Sequence, residues 1–182
     1  MVVELETQEQ TDAELYTRYL NGEEQAFAAL YHRLSRGLFG YGLALTGNRE
    51  VAADALQDAW MRLLQGKKPD SIKAYLYSTL RNRIFDLKRR GKVAAKAEIE
   101  LKLLRPKTES FEDGFDNRKV LELNRAISAL PQEQLEVVLL RAYEGMKFNA
   151  IAEVIGVPVK TAESRYRLAL DKLKQEVTRE GN

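Results

Sequence analysis

Apolar side chains recur along this chain at the helical repeat, and no stretch sustains the two-residue alternation of a half-buried strand. The spacing predicts helices over residues 12–20, with Asp12 as N-cap, and over 24–45, 49–65 and 72–90. Asn21-Gly22 and Thr46-Gly47-Asn48 separate the first three, and Gly66-Lys67-Lys68-Pro69-Asp70-Ser71 forms a basic loop before the fourth. In the third helix Ala52, Leu56, Ala59, Trp60 and Leu63 make the apolar stripe; in the fourth it is Ile72, Leu76, Leu80, Ile84 and Leu87. Gly37, Gly40 and Gly42 lie inside the second helix, each unfavourable by up to about 1 kcal/mol relative to alanine. They imply either a bend or a close helix crossing. Pro69, Pro106, Pro131 and Pro158 all fall at boundaries of periodic segments, as the missing N–H of proline requires.

Beyond Gly91 the periodicity weakens. Residues 93–104 allow a short helix, whereas Arg105-Pro106-Lys107-Thr108-Glu109-Ser110 and Glu112-Asp113-Gly114 read as a linker. The chain therefore divides into a helical domain over 1–91, a linker over 92–117 and a second helical domain over 118–182. In the second domain an apolar-periodic segment covers 130–143 and ends at Gly145. Phe148, Ile151, Val154 and Ile155 then define one face of a short helix, Gly156 interrupts it, and Pro158 follows. A longer segment runs through Ala162, Tyr166, Ala169 and Leu173, with Lys160, Thr161, Ser164, Arg165 and Arg167 near its start. That is the layout of a helix-turn-helix, whose second helix enters the DNA major groove by its N-terminal residues. Ala152 lets the two helices cross closely. An αα-corner in a helical bundle has the same spacing. The expected fold class is all-α: two small helical domains joined by a linker, the C-terminal one containing a helix-turn-helix.

Composition narrows the chemistry. With 45% hydrophobic and 31% charged residues the chain reads as soluble and globular. It has no cysteine, which removes disulfides, thiolate nucleophiles and cysteine-held zinc, and a single histidine, His32, which builds neither a metal site nor a triad by itself. No phosphate-binding glycine loop is present, so an enzymatic role is the weakest reading, with no catalytic residue, metal or cofactor expected. No apolar run approaches a bilayer span, and residues 1–14 are acidic without a signal-peptide core. The expected location is the cytoplasm, without membrane insertion.

Net charge is only +2, so any affinity for nucleic acid must come from local segregation. Residues 1–30 hold seven acidic side chains against Arg18 alone, whereas Arg81, Arg83, Lys88, Arg89, Arg90 and Lys92 face only Asp86. On the third helix Asp54, Gln57, Asp58, Met61 and Gln65 form a second stripe, acidic yet carrying a methionine. The fourth shows Tyr75, Asn82, Asp86 and Arg89 opposite its apolar stripe, with Tyr77, Arg81 and Lys88 on the flank. Rings interleaved with cations beside a basic loop suit a single strand, whose bases stack while its phosphates are tracked. Half-buried packing explains Tyr77 equally well.

These residues carry a resemblance. Ala52-Ala53-Asp54-Ala55-Leu56-Gln57-Asp58-Ala59-Trp60-Met61-Arg62-Leu63 resembles the polymerase-binding helix of the bacterial sigma-70 family. Ala74-Tyr75-Leu76-Tyr77, Arg81-Asn82 and Asp86-Leu87-Lys88-Arg89-Arg90 are similar to the next segment of its extracytoplasmic-function subgroup. Leu130-Pro131-Gln132-Glu133-Gln134, Tyr143-Glu144-Gly145 and the run from Ile151 to Thr161 resemble the subgroup's second domain. The likeness spans about residues 12–175 in the family's order, with the linker in its expected place.

What the resemblance implies is a sigma factor that binds core RNA polymerase and directs it to promoters. Asp54, Gln57, Asp58, Met61 and Arg62 would dock on a coiled coil of the polymerase clamp. Lys67, Lys68, Tyr75, Tyr77, Arg81, Asn82, Lys88, Arg89 and Arg90 would serve the melted −10 element. Melting costs about 1.4 kcal/mol per stacking step, part of which capture of an extruded base offsets. Lys160, Thr161, Ser164, Arg165 and Arg167 would read the −35 element. The partners implied are core polymerase and promoter DNA, with an anti-sigma factor left open.

Some positions depart from the family pattern. Glu163 replaces a usual basic residue and Leu168 and Leu170 frequent arginines, Tyr75 replaces a tryptophan, and Lys147 stands where a Ser or Thr N-cap is customary. A carboxylate at 163 repels phosphate or accepts from a cytosine amine. Two other readings stay open: a helix-turn-helix regulator that does not initiate transcription, and a degenerate sigma-like protein acting only through protein–protein contact.

Overall fold

The computed structural model describes residues 10–66, 68–91 and 117–180. Every regular element among them is helical, and no helix is long and apolar enough to cross a membrane. Helix α1 (Asp12–Leu20) opens on a capping box: the Thr11 hydroxyl accepts from the Glu14 N–H, and the Glu14 carboxylate accepts from the Thr11 N–H. The cap is thus Thr11 and not Asp12, which is the first helical residue. Helix α2 (Glu24–Thr46) ends at Gly47 with φ 61°, a left-handed terminus that glycine adopts without a Cβ clash. Asn48 caps α3 (Arg49–Gln65) by accepting from the N–H groups of Glu50 and Val51, and Ser71 caps α4 (Ile72–Arg89) by accepting from Ala74.

The four helices close on the predicted stripes. Ala52, Leu56, Ala59, Trp60 and Leu63 of α3 are buried, as are Ile72, Leu76, Leu80 and Ile84 of α4, whereas Leu87, the last of the predicted α4 stripe, is only half-buried near the end of the helix. Trp60 stands edge-on to Phe27 at 5.6 Å and lies 5.1 Å from the Tyr31 ring, in the geometry that favours the ring quadrupoles. The glycines of α2 serve close crossings. A Cβ on Gly42 would lie 3.4 Å from the Ala52 Cβ, and one on Gly37 would collide with the Glu144 carboxylate.

The second half comprises α5 (Asn117–Ala129), α6 (Gln132–Val138), α7 (Phe148–Ile155) and α8 (Val159–Glu180). After α6 the helix continues through one wide π turn, Leu139–Tyr143, where the Glu144 N–H bonds the Leu139 carbonyl at 3.1 Å. The predicted linker 92–117, including the possible helix at 93–104, lies outside the described residues apart from Asn117. The two halves touch, α4 against α7 and α2 against α6, and their buried side chains form one continuous cluster.

Helix α7 starts on Lys147, whose side chain caps nothing although its backbone has the extended conformation of an N-cap (φ −74°, ψ 152°). Lys147→Ser should therefore stabilise the fold by about 1 kcal/mol. Urea titration checks this, and an unmoved midpoint would show that the cap is worth nothing here.

Candidate docking and nucleic-acid interfaces

On α3 the outer face is built by default, because the inner stripe is consumed by the core. Asp54, Gln57, Met61 and Arg62 are exposed, Met61 to 47%. Asp58 is part-exposed, and its carboxylate accepts from Arg62 Nε at 2.8 Å across one helical turn. All five predicted docking residues thus share one surface: a thioether flanked by carboxylates. Met61 thus leaves an apolar thioether exposed among charged side chains.

Helix α4 divides into two flanks. On the open flank Asn82, Arg89 and Arg90 are exposed, Arg89 pairs with Asp86, and Tyr75 is half-buried. Lys68 is exposed but donates to the Thr17 hydroxyl of α1 at 2.6 Å; Lys67 lies outside the described residues. The other flank is covered. Tyr77 is fully buried, its ring 5.3 Å from that of Tyr41 and tilted by 61°. Arg81 gives Nε and Nη2 to one Glu136 oxygen at 3.2 and 3.1 Å, and Lys88 donates to Gln132 Oε1 at 3.0 Å. For Tyr77 the structure shows the packing role, not an exposed stacking ring.

Glu136 is a buried carboxylate with 2% of its side chain exposed. Burial pushes its carboxyl above the usual range; the Arg81 guanidinium, Gln132 and the Lys88 ammonium pull the other way. Burial likewise lowers the Lys88 ammonium, against the pull of Glu136. Nearby, Lys73 donates to the Glu144 carbonyl at 2.7 Å and faces its carboxylate at 3.2 Å. Glu136 and Lys73 are not singled out by the sequence, and Gln132 and Glu144 enter it only within the motifs of the resemblance, with no role attached. The available signal was Glu136 itself, a charge embedded in Leu135-Glu136-Val137-Val138-Leu139-Leu140, which demands a buried partner.

The second surface is the helix-turn-helix. Gly156 turns the chain with φ 69°, its N–H and that of Val157 closing on the Ala152 carbonyl at 2.9 and 3.1 Å. Phe148 of α7 meets Tyr166 of α8 edge-on at 5.6 Å, while Ala162 and Ala169 are fully buried where the helices approach. This leaves Lys160 and Arg167 exposed at the start of α8, Thr161 and Ser164 half-buried, and Arg165 paired to Glu133 at 2.9 Å. Glu163 is exposed among them, and Leu168 and Leu170 are exposed further along.

Comparison with known proteins agrees with this layout. A model of sigma-70 region 2 matches residues 30–93, and a model of sigma-70 region 4 matches residues 121–173. The chain is 28% identical to the ECF RNA polymerase sigma factor SigM of Mycobacterium tuberculosis over 86% of its own length and 80% of the relative's. It is 26% identical to ECF sigma factor RpoE of Cereibacter sphaeroides over 86% and 88%. Two solved structures share the fold with a TM-score of 0.63: RpoE of Bartonella quintana bound to the anti-sigma factor NepR (19% identity, 84% of this chain, 96% of that one), and CnrH bound to the cytosolic domain of CnrY (23%, 90% and 95%). With both sigma-70 regions matched in order over more than half its length, this chain belongs to the extracytoplasmic-function group of the sigma-70 family.

Proposed function

We propose that this protein is a cytoplasmic, non-catalytic sigma factor whose three surfaces divide the work of initiation. The outer face of α3, with Asp54, Gln57, Asp58, Met61 and Arg62, docks on core RNA polymerase. The basic loop at Lys67 and Lys68 and helix α4, with Tyr75, Arg81, Asn82, Lys88, Arg89 and Arg90, hold the unpaired −10 strand. The start of α8, with Lys160, Thr161, Ser164, Arg165 and Arg167, reads the −35 element in the major groove. The observation that carries this reading is the coexistence, in one chain, of an acidic docking face on α3 and a separate helix-turn-helix bearing exposed Lys160 and Arg167. A regulator acting alone would leave the α3 face without a use. Relatives of this fold are held by anti-sigma factors, and a partner of that kind for this chain is part of the proposal.

The deciding experiment is run-off transcription with purified core polymerase, on promoters mapped after overexpression. Promoter-dependent transcripts are expected; no association with core polymerase at low salt would end the sigma reading. Within that assay Arg165→Ala should lower output from templates carrying the upstream element by roughly 5–30-fold, the loss of about 1–2 kcal/mol typical of one cationic contact. Equal output with and without that element would remove Arg165 from the role.

A further inference from the structure

One carboxylate stands among the cations of the helix-turn-helix. Glu163 is exposed on α8 in a row with Lys160 and Arg167, three residues before it and four after. That spacing puts neighbouring side chains about 6 Å apart on one helix surface. The rotation of α8 is pinned from behind: Ala162 and Ala169 are fully buried, and Tyr166 meets Phe148 of α7 at 5.6 Å. Glu163 therefore cannot turn inward. It is the fifth residue of α8, within the stretch by which a recognition helix meets base edges. Its carboxylate enters no hydrogen bond or ion pair among the described residues, whereas nearby Arg165 is held by Glu133.

A carboxylate carried into a DNA groove needs a donor, because an ionised oxygen stripped of water and left unpaired is costly. Phosphates offer none. In the major groove the donors are the N4 amine of cytosine and the N6 amine of adenine, while guanine and thymine turn acceptors toward the protein. Adenine's amine stands beside its N7 acceptor, which repels the second carboxylate oxygen, so cytosine is the better partner. Lys160 and Arg167 on either side supply the attraction to the backbone that Glu163 lacks.

We propose that Glu163 is a specificity-determining residue of promoter recognition, accepting from the N4 amine of one cytosine in the upstream element and disfavouring the other three bases there. This rests on the sigma-factor reading above and adds a base identity to it.

The test is a base-preference profile. Holoenzyme formed with the full chain transcribes a pool of mapped promoters whose upstream element is randomised and whose transcribed region carries a barcode. One position should require cytosine on the contacted strand, and replacing that pair should lower wild-type output about 5–150-fold, the discrimination of one good base contact. Glu163→Ala should flatten the preference at that position and leave the rest of the profile intact. Glu163→Gln, whose amide suits adenine N6 and N7, should move it to adenine. Glu163 is exposed and alanine is the better helix former, so the alanine variant keeps its fold. An unchanged profile in Glu163→Ala would overturn the proposal. So would an equal rise in output on every template, the mark of a carboxylate that only repels phosphate. Selection of random duplexes by the full chain alone, at low salt, separates this contact from the sigma reading. Cytosine enrichment abolished by Glu163→Ala would uphold the contact even where no promoter-dependent transcript forms; the same enrichment in both proteins would overturn it.

Discussion

Tyr77→Ala is expected to destabilise the protein by about 3–5 kcal/mol, lowering its melting temperature by something on the order of 10 °C. The side chain is fully buried, packs on Tyr41 at 5.3 Å and lies 6.0 Å from the Lys73 ammonium, so truncation leaves a void that backbone from two halves of the chain must fill. Its hydroxyl is buried beside the Glu144 carboxylate without a well-formed hydrogen bond, and burial first, then the Glu144 carboxylate, holds the phenol well above its ordinary range. Tyr77→Phe removes that hydroxyl at little cost and should melt within about 1 kcal/mol of wild type. Calorimetry of the pair, run beside transcription, separates core from contact. Should the alanine variant melt normally while initiation collapses, Tyr77 would return to the DNA surface.

The second large effect is expected from Asp58→Arg. Within the free protein the change is mild: Asp58 is part-exposed and its pair with Arg62 sits at the surface, where such pairs contribute about 0–1 kcal/mol. In the proposed docking on core polymerase it is severe, because it reverses a charge in the middle of the contact face, and mismatched charges pressed together cost several kcal/mol. Affinity for core polymerase should fall at least about 100-fold, near 2.7 kcal/mol, while circular dichroism and melting stay close to wild type. Titration of labelled protein with polymerase reads the affinity directly. Undiminished binding would move the docking surface off this face of α3.

Much of this was legible in the sequence because it is local. The stripe Ala52, Leu56, Ala59, Trp60, Leu63 needs only the 3.6-residue repeat, and Gly156 followed by Pro158 marks the turn before α8 without any knowledge of packing. The N-cap of α1 was misplaced by one residue, although Thr11 and Glu14 stand three apart as a capping box requires. Helix α5 escaped notice since Val120, Leu121, Leu123 and Ile127 give a sparse apolar pattern among polar residues. The covered flank of α4 was out of reach for a different reason. Arg81 and Glu136 are 55 residues apart, Lys73 and Glu144 71, and a helix that is solvated on one side in its own domain shows no mark of being covered by another. The glycines hinted at it: Gly37 leaves the space that Glu144 fills.

The π turn at Leu139–Tyr143 has a consequence for insertions and deletions. It holds one residue more per turn than an α-helix, so everything after it is phased by an extra step of about 100°. Removing a single residue there would leave a regular helix, with all apolar neighbours retained, yet would swing Glu144 away from Lys73 and re-aim the reading head that follows. Indel tolerance at this point is therefore decided by rotation, not by loss of buried surface.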